Sequence, residues 1–160
     1  MYQVLKNEHD VQYILDNLRL EDMLELHTIY GNNYKEIAKS TIINSPFPVH
    51  IGKSKNNDIP IAMGGIWEIT PRDRGVAGVW LLSTDRVKHH QISLLRMIKK
   101  EIEKADKKYW LTYNFIYERN FRAKKWLKWL GYKFDNPRPK GVNIPSGFEY
   151  FYRVNKKGEI

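Results

Sequence analysis

Few side chains in this sequence can do covalent or metal chemistry, and their spacing removes most of the options. Cysteine is absent, which excludes a thiol nucleophile, a disulfide framework and a zinc knuckle together. Of the five histidines only His89 and His90 are adjacent, and no His-Glu-x-x-His pattern occurs, so no metal site is expected. There is no phosphate-binding Gly-rich loop, no Gly-x-Ser-x-Gly and no dinucleotide fingerprint. What remains is proton transfer by carboxylates and imidazoles, and anion binding by cations. The chain has 27 Lys and Arg against 18 Asp and Glu, a net charge of +9, which favours nucleotides, nucleic acid or an anionic protein as partners through long-range steering. Many of these cations fall between Lys88 and Lys140, interleaved with aromatic residues. They suit either a solvated helix face with basic loops or a dedicated anion site.

Positioning such groups needs a core, and 160 residues without internal repeats suit one domain, with a polar tail from about Asn155. Tyr2 to Leu5 alternate as a short strand, and Asp10 is placed to cap a helix through Leu18. Leu20, Met23, Leu24, Leu26 and His27 recur at helical spacing up to Gly31, and Asn33 precedes a further helix from Tyr34 to Ile43. Beyond Pro46 and Pro48 the pattern turns to strands at 49–51, 59–69 and 76–84, joined by short polar turns. These suggest an antiparallel meander. Lys88 to Lys108 is the longest helical stretch, with Ile92, Leu95, Ile98, Ile102 and Ala105 as its apolar stripe. Tyr109 to Tyr117 then reads as a buried strand. Strand, helix, strand implies a parallel crossover between Val79 and Leu111. Asn120 opens a helix with Ala123, Trp126, Leu127 and Leu130 on one face, and Gly131 ends it. Trp126 reads as core and Trp129 as exposed. Asn136 to Gly147 reads as loop and Phe148 to Val154 as the last strand. The N-terminal residues lack the apolar core of a signal peptide, and no segment approaches a membrane span, so a soluble, unexported protein is expected.

This element order resembles that of the GNAT N-acetyltransferases. So does the run Asn120-Phe121-Arg122-Ala123-Lys124-Lys125-Trp126-Leu127-Lys128-Trp129-Leu130-Gly131-Tyr132, in which Asn120, Arg122, Ala123, Leu130, Gly131 and Tyr132 fall in register with the family's motif. Ala62-Met63-Gly64-Gly65, followed by Val79-Trp80-Leu81-Leu82-Ser83-Thr84-Asp85-Arg86-Val87, is also similar to GNAT-like internal virion proteins of short-tailed bacteriophages. The resemblance implies an α/β fold with a mixed, mostly antiparallel sheet, helices on its faces and a V-shaped splay between two parallel strands. It implies acetyl-CoA as cofactor and an amine acceptor. Leu81, Leu82 and Ser83 would flank the pantetheine arm, the turn bearing Arg86, Val87, Lys88 and His89 would take the pyrophosphate, and Asn114 and Asn120 would contact the cofactor.

The chain departs from the family in three places. Its phosphate turn carries no glycine, so Arg86, Lys88 and His89 would have to clamp with side chains or would block the space. Leu127 stands where the family often has its acid tyrosine, leaving Tyr132 or Tyr117. The strand 76–82 lacks the usual carboxylate base, leaving Glu68, Asp85 and His90. Structural readings compete for each: a cross-strand partner for Glu68, a helix cap for Asp85, solvated first-turn residues for His89 and His90. Three functions follow. The chain is an acyl-CoA-dependent N-acyltransferase, or a non-catalytic phage virion protein on the same fold, acting with other virion proteins in the virion or the cytoplasm of the infected cell. The third, resting on charge, is a nucleic-acid binder using Lys99, Lys100, Lys104, Lys107, Lys108, Lys124, Lys125 and Lys128.

Overall fold

The computed structural model describes residues 1–68, 75–135 and 143–155. Six strands form one sheet in the order β1 to β6: β1 Tyr2–Leu5, β2 Val49–Lys53, β3 Pro60–Glu68, β4 Val76–Ser83, β5 Leu111–Tyr117 and β6 Phe148–Val154. The β1/β2, β2/β3 and β5/β6 pairs are antiparallel, whereas β4 and β5 run parallel. The helices are α1 Glu8–Asp16, α2 Leu20–Tyr30, α3 Tyr34–Ile43, α4 Gln91–Ala105 and α5 Phe121–Trp129. The mixed sheet with flanking helices matches the expected fold class. Among the described residues no helix is long and apolar enough to cross a membrane. The chain divides into two compact units, residues 1–66 with 80–97 and residues 67–79 with 98–160.

In the first unit α1 buries Val11, Ile14 and Leu15, one face at helical spacing, in a core shared with Leu26, Ile42 and Ile51. Its cap is Asn7, not Asp10. The Asn7 Oδ1 accepts the Asp10 amide at 2.9 Å, and Asp10 lies buried in the first turn. There its carboxylate accepts from Asn7 Nδ2 at 2.7 Å and from Lys53 Nζ at 3.1 Å. An acid at this position closes a reciprocal arrangement with the cap, which is why the helix starts three residues before the predicted one. Lys6 Nζ donates to the carbonyls of Ile42, Ile43 and Ser45 at 2.8–2.9 Å, satisfying the open end of α3. Asn33 stands before α3 but makes no side-chain cap bond.

The predicted helix from Lys88 begins instead at Gln91, because residues Asp85–His89 form a 3-10 turn. Of its expected stripe Ile102 and Ala105 are buried and Leu95 and Ile98 half-buried, but Ile92 is 68% exposed and Leu94 is buried beside the stripe.

In the second unit β5 and β6 pair along their whole length, and Tyr132 packs edge-on against Phe151 with ring centroids 5.3 Å apart. Trp126 and Leu130 are buried and Trp129 is exposed, as α5's pattern predicts. Asn155 belongs to the fold, not to a tail. Its side chain donates to the carbonyls of Asp106 and Tyr109 at 2.7 and 2.6 Å, closing the segment between α4 and β5. The rest of the expected tail, the turn 69–74 and most of the predicted loop from Asn136 lie outside the described residues.

α5 ends in a reciprocal C-cap: Tyr132 N–H donates to Leu127 O at 2.9 Å and Gly131 N–H to Lys128 O at 3.1 Å, with Gly131 at φ +89°. A Cβ there would also meet Arg153 Nε at 3.3 Å. Gly131→Val is expected to cost about 1–3 kcal/mol, because a β-branched residue fits left-handed backbone poorly. In a chain of this size that lowers the melting temperature by roughly 2–4 °C per kcal/mol. A melting temperature equal to wild type would contradict this reading of the cap.

Candidate active site

In the first unit the chemistry-bearing side chains gather where β4 ends and α4 begins. Val87 is fully buried and anchors the 3-10 turn, while Asp85, Arg86, Lys88 and His89 around it are exposed. Val87 N–H donates to Thr84 O, and His90 N–H to Val87 O, both near 3 Å. The first turn of α4 carries no acid. A buried valine thus holds the turn, and its cations stand where unpaired amides and the helix dipole already favour negative charge. Burial, together with the positive N-terminal ammonium, His89 and Arg86, holds the His90 imidazole below its usual range, so it is neutral at pH 7. A cleft of about 310 Å³ beside the turn is lined by Tyr13, Asn17, Leu18, Thr84, Asp85 and Arg86.

Beneath the turn lies a polar cluster that the sequence did not flag. Arg19 and Asp22 are both buried and pair bidentately, Nε to Oδ2 at 2.9 Å and Nη2 to Oδ1 at 2.7 Å. Asp22 Oδ2 also accepts the Ser83 amide at 2.7 Å and the Ser83 hydroxyl at 3.0 Å. The Ser83 carbonyl takes the Arg19 N–H at 3.0 Å, and the Thr84 amide goes to Ile61 O at 2.9 Å. Burial alone would ease the proton off Arg19, but its bonds to Asp22 outweigh that and raise its pKa. Ser83, expected to meet the cofactor, has its amide, carbonyl and hydroxyl committed to this cluster; Leu82 is buried beside it and Leu81 is half-buried. The only local hint was an Arg and an Asp three apart at the start of a helix.

In the second unit the parallel ladder between β4 and β5 covers Val76–Gly78 against Leu111–Tyr113. The next β4 carbonyl, Val79 O, is taken at 2.8 Å by the side-chain amide of Asn114, whose Oδ1 accepts the Phe115 N–H at 2.8 Å. Asn114 therefore substitutes a side chain for backbone pairing where the ladder stops. Asn120 is buried and caps α5, its Oδ1 facing the Ala123 N–H at 3.4 Å. Tyr132 is buried with its hydroxyl 3.2 Å from Thr112 Oγ1, and burial pushes its pKa up to about 12. It keeps its proton at neutral pH. Glu68 is ion-paired with Lys108 and accepts the Tyr109 hydroxyl at 2.8 Å; the Lys108 bond, then that of Tyr109, holds its carboxyl below the usual range. Such a carboxylate is a weak base whose oxygen is already occupied.

No protein-family model matches the chain, and no curated protein matches it in sequence. Solved structures do. An acetyltransferase of the GNAT family from Streptococcus pneumoniae superposes with a TM-score of 0.66 at 12% identity, over 96% of this chain and 98% of that one. A chimera of the spermidine N-acetyltransferase SpeG from Vibrio cholerae with hSSAT gives 0.68 at 13%, over 98% and 96%. A ribosomal-protein-alanine N-acetyltransferase from Brucella melitensis gives 0.64 at 12%, over 96% and 99%. At such identities the likeness is one of fold: the chain has the fold of the GNAT acetyltransferases.

The Asp22 cluster makes a sharp stability prediction. Asp22→Ala strands the Arg19 guanidinium and the two Ser83 donors in the interior and should cost about 3–5 kcal/mol, and adding Arg19→Met should recover the part due to the stranded charge. Urea unfolding of Asp22→Ala, Arg19→Met and the double variant checks it, and losses that simply add would show that the pair is not coupled.

Proposed function

We propose that the chain is an acyl-CoA-dependent N-acyltransferase, acting on an amine of a protein, peptide or small molecule. One observation carries this reading on a fold of the right kind: Arg86, Lys88 and His89 stand exposed on a turn pinned by Val87, at the start of a helix whose first turn has no acid. That donor set suits the phosphates of CoA, with side chains supplying what a glycine-rich turn supplies through its backbone. When bound, the cofactor would bring the acyl group as a thioester. Leu81 and Leu82 would flank the pantetheine arm, while Ser83 fixes the strand end instead of donating to the cofactor. The cleft lined by Asp85 and Asn17 is the place for the amine, with Asp85 as its carboxylate partner. A free amine is needed for attack, so the ammonium proton must leave first, and the departing thiolate must regain one. Neutral His90, at the end of that turn, is able to accept a proton at pH 7, whereas the Tyr132 hydroxyl, buried against Thr112 in the second unit, keeps its own because of its raised pKa. Asn114 and Asn120 contribute by fixing the strand pairing and the start of α5.

A second reading has its own support. The committed donors of Ser83 and the engaged carboxylate of Glu68 suit a protein that keeps the fold without catalysis, such as an internal virion protein of a short-tailed bacteriophage, resident in the virion or the infected cell's cytoplasm.

Acetyl-CoA binding separates the two readings. Arg86→Ala with Lys88→Ala should weaken binding by about 1.5–3 kcal/mol for each charge-assisted hydrogen bond lost, with almost no change in melting temperature, because both residues are exposed. Added salt should weaken the wild-type complex. Titration calorimetry and thermal shift measure both effects; if wild-type protein gives neither heat nor shift at millimolar acetyl-CoA, the non-catalytic reading replaces the enzymatic one.

A further inference from the structure

The outward face of α5 takes no part in the site described above. Phe121 is 67% exposed and Trp129 58% exposed, and Arg122, Lys125 and Lys128 are exposed with them. Their positions fall within one arc of the helix, on the side away from Ala123 and Leu127. The sequence of α5 contains no acid, and its one ion-paired cation, Lys124, lies off this arc and reaches Glu149 at 2.6 Å. Arg122, Lys125 and Lys128 have no acidic partner among the described residues. Lys99 of α4 adds a further cation, its Nζ 5.7 Å from the centre of the Trp129 ring.

Two features of this face must be satisfied together: uncompensated positive charge, and two large aromatic rings left in water. Charge alone would suit any polyanion. A carboxylate-rich peptide answers the lysines but offers the rings no flat partner. A duplex answers them too, yet keeps its base faces stacked inside. Only unpaired bases alternate anionic phosphates with open π faces. The spacing fits as well: eight residues at about 1.5 Å each separate Phe121 from Trp129 by about 12 Å along the axis, a span of about three nucleotides at the 3.4 Å rise of a stacked strand. We infer that the exposed face of α5 binds single-stranded nucleic acid, with Phe121 and Trp129 stacking on bases and Arg122, Lys125, Lys128 and Lys99 meeting the intervening phosphates. The chain's overall charge of +9 would steer such a strand toward it. This inference is independent of acyl transfer.

Fluorescence anisotropy of the full chain with labelled oligothymidine about 15 nucleotides long tests it. Binding is expected at low salt and should weaken as salt rises, with a slope of about −0.7 per phosphate neutralised. Phe121→Ala with Trp129→Ala keeps the charge, so it should weaken binding at least about tenfold while leaving that slope unchanged. Trp129→Phe, which keeps a ring, should bind nearly as wild type. Lys125→Gln with Lys128→Gln should instead lower the slope by about 1.4. The proposal is overturned if no binding occurs at about 100 µM protein, near the weak limit of non-specific affinity. It is equally overturned if the ring-less double variant binds like wild type, or if a duplex of equal length or polyglutamate binds as tightly as the single strand.

Discussion

Asp22 pairs with Arg19 where almost no water reaches it, and a buried ion pair persists only when its lone pairs are met. Four donors meet them: Nε and Nη2 of Arg19, and the amide and hydroxyl of Ser83. Much of the first unit follows from that requirement. The start of α2 is tied to the end of β4, which fixes where Thr84 begins the turn and therefore where Arg86, Lys88 and His89 stand. A cluster of this kind is a costly way to gain stability, since well-packed apolar residues would serve as well. What it supplies is direction, since the four bonds are satisfied in one arrangement of the strand end.

The same economy recurs in the second unit. Asn114, Asn120, Tyr132 and Glu68 all have side chains suited to a reactive site, and each is also holding structure: a strand edge, a helix start, a buried hydroxyl pair and an ion pair. Residue type therefore discriminates poorly between the two roles. The turn after β4 discriminates better, because its cations are exposed and no internal acid neutralises them in the first turn of the helix that follows.

What was legible in the sequence was what local pattern encodes. Gly131 at the end of α5, Asn120 at its start, and the inward Trp126 against the outward Trp129 all depend on residues within a turn or two. The order of strands and helices followed from periodicity, and the fold class followed from that order. The misses share a physical cause. Asp22 bonds Ser83 across 61 residues, and Asn155 meets Tyr109 across 46, so nothing near either residue announces the partner. Asp10 has the chemistry of a cap, yet Asn7 caps the helix three residues earlier by accepting Asp10's own amide, which leaves the Asp10 carboxylate for Lys53, 43 residues on. Ile92 fits the stripe's spacing yet lies in the first turn of α4, directly behind the 3-10 turn, and is exposed, whereas Ile102 and Ala105 further along the same stripe are buried.

Lys6 shows a different kind of dependence. Its single ammonium satisfies three carbonyls at the end of α3, although it lies just before α1 in the chain. The first six residues thus act as a clasp on a distant helix terminus. Neutralising or removing that one amine would leave the core of the unit intact and let α3 unwind from its last turn. The result is a partial opening well below the energy of global unfolding. Amide exchange in this unit should accordingly be graded, fastest at the residues approaching Ser45 and slowest around Ile14 and Ile51, so that the mobility of one helix end is set by the integrity of the chain's beginning.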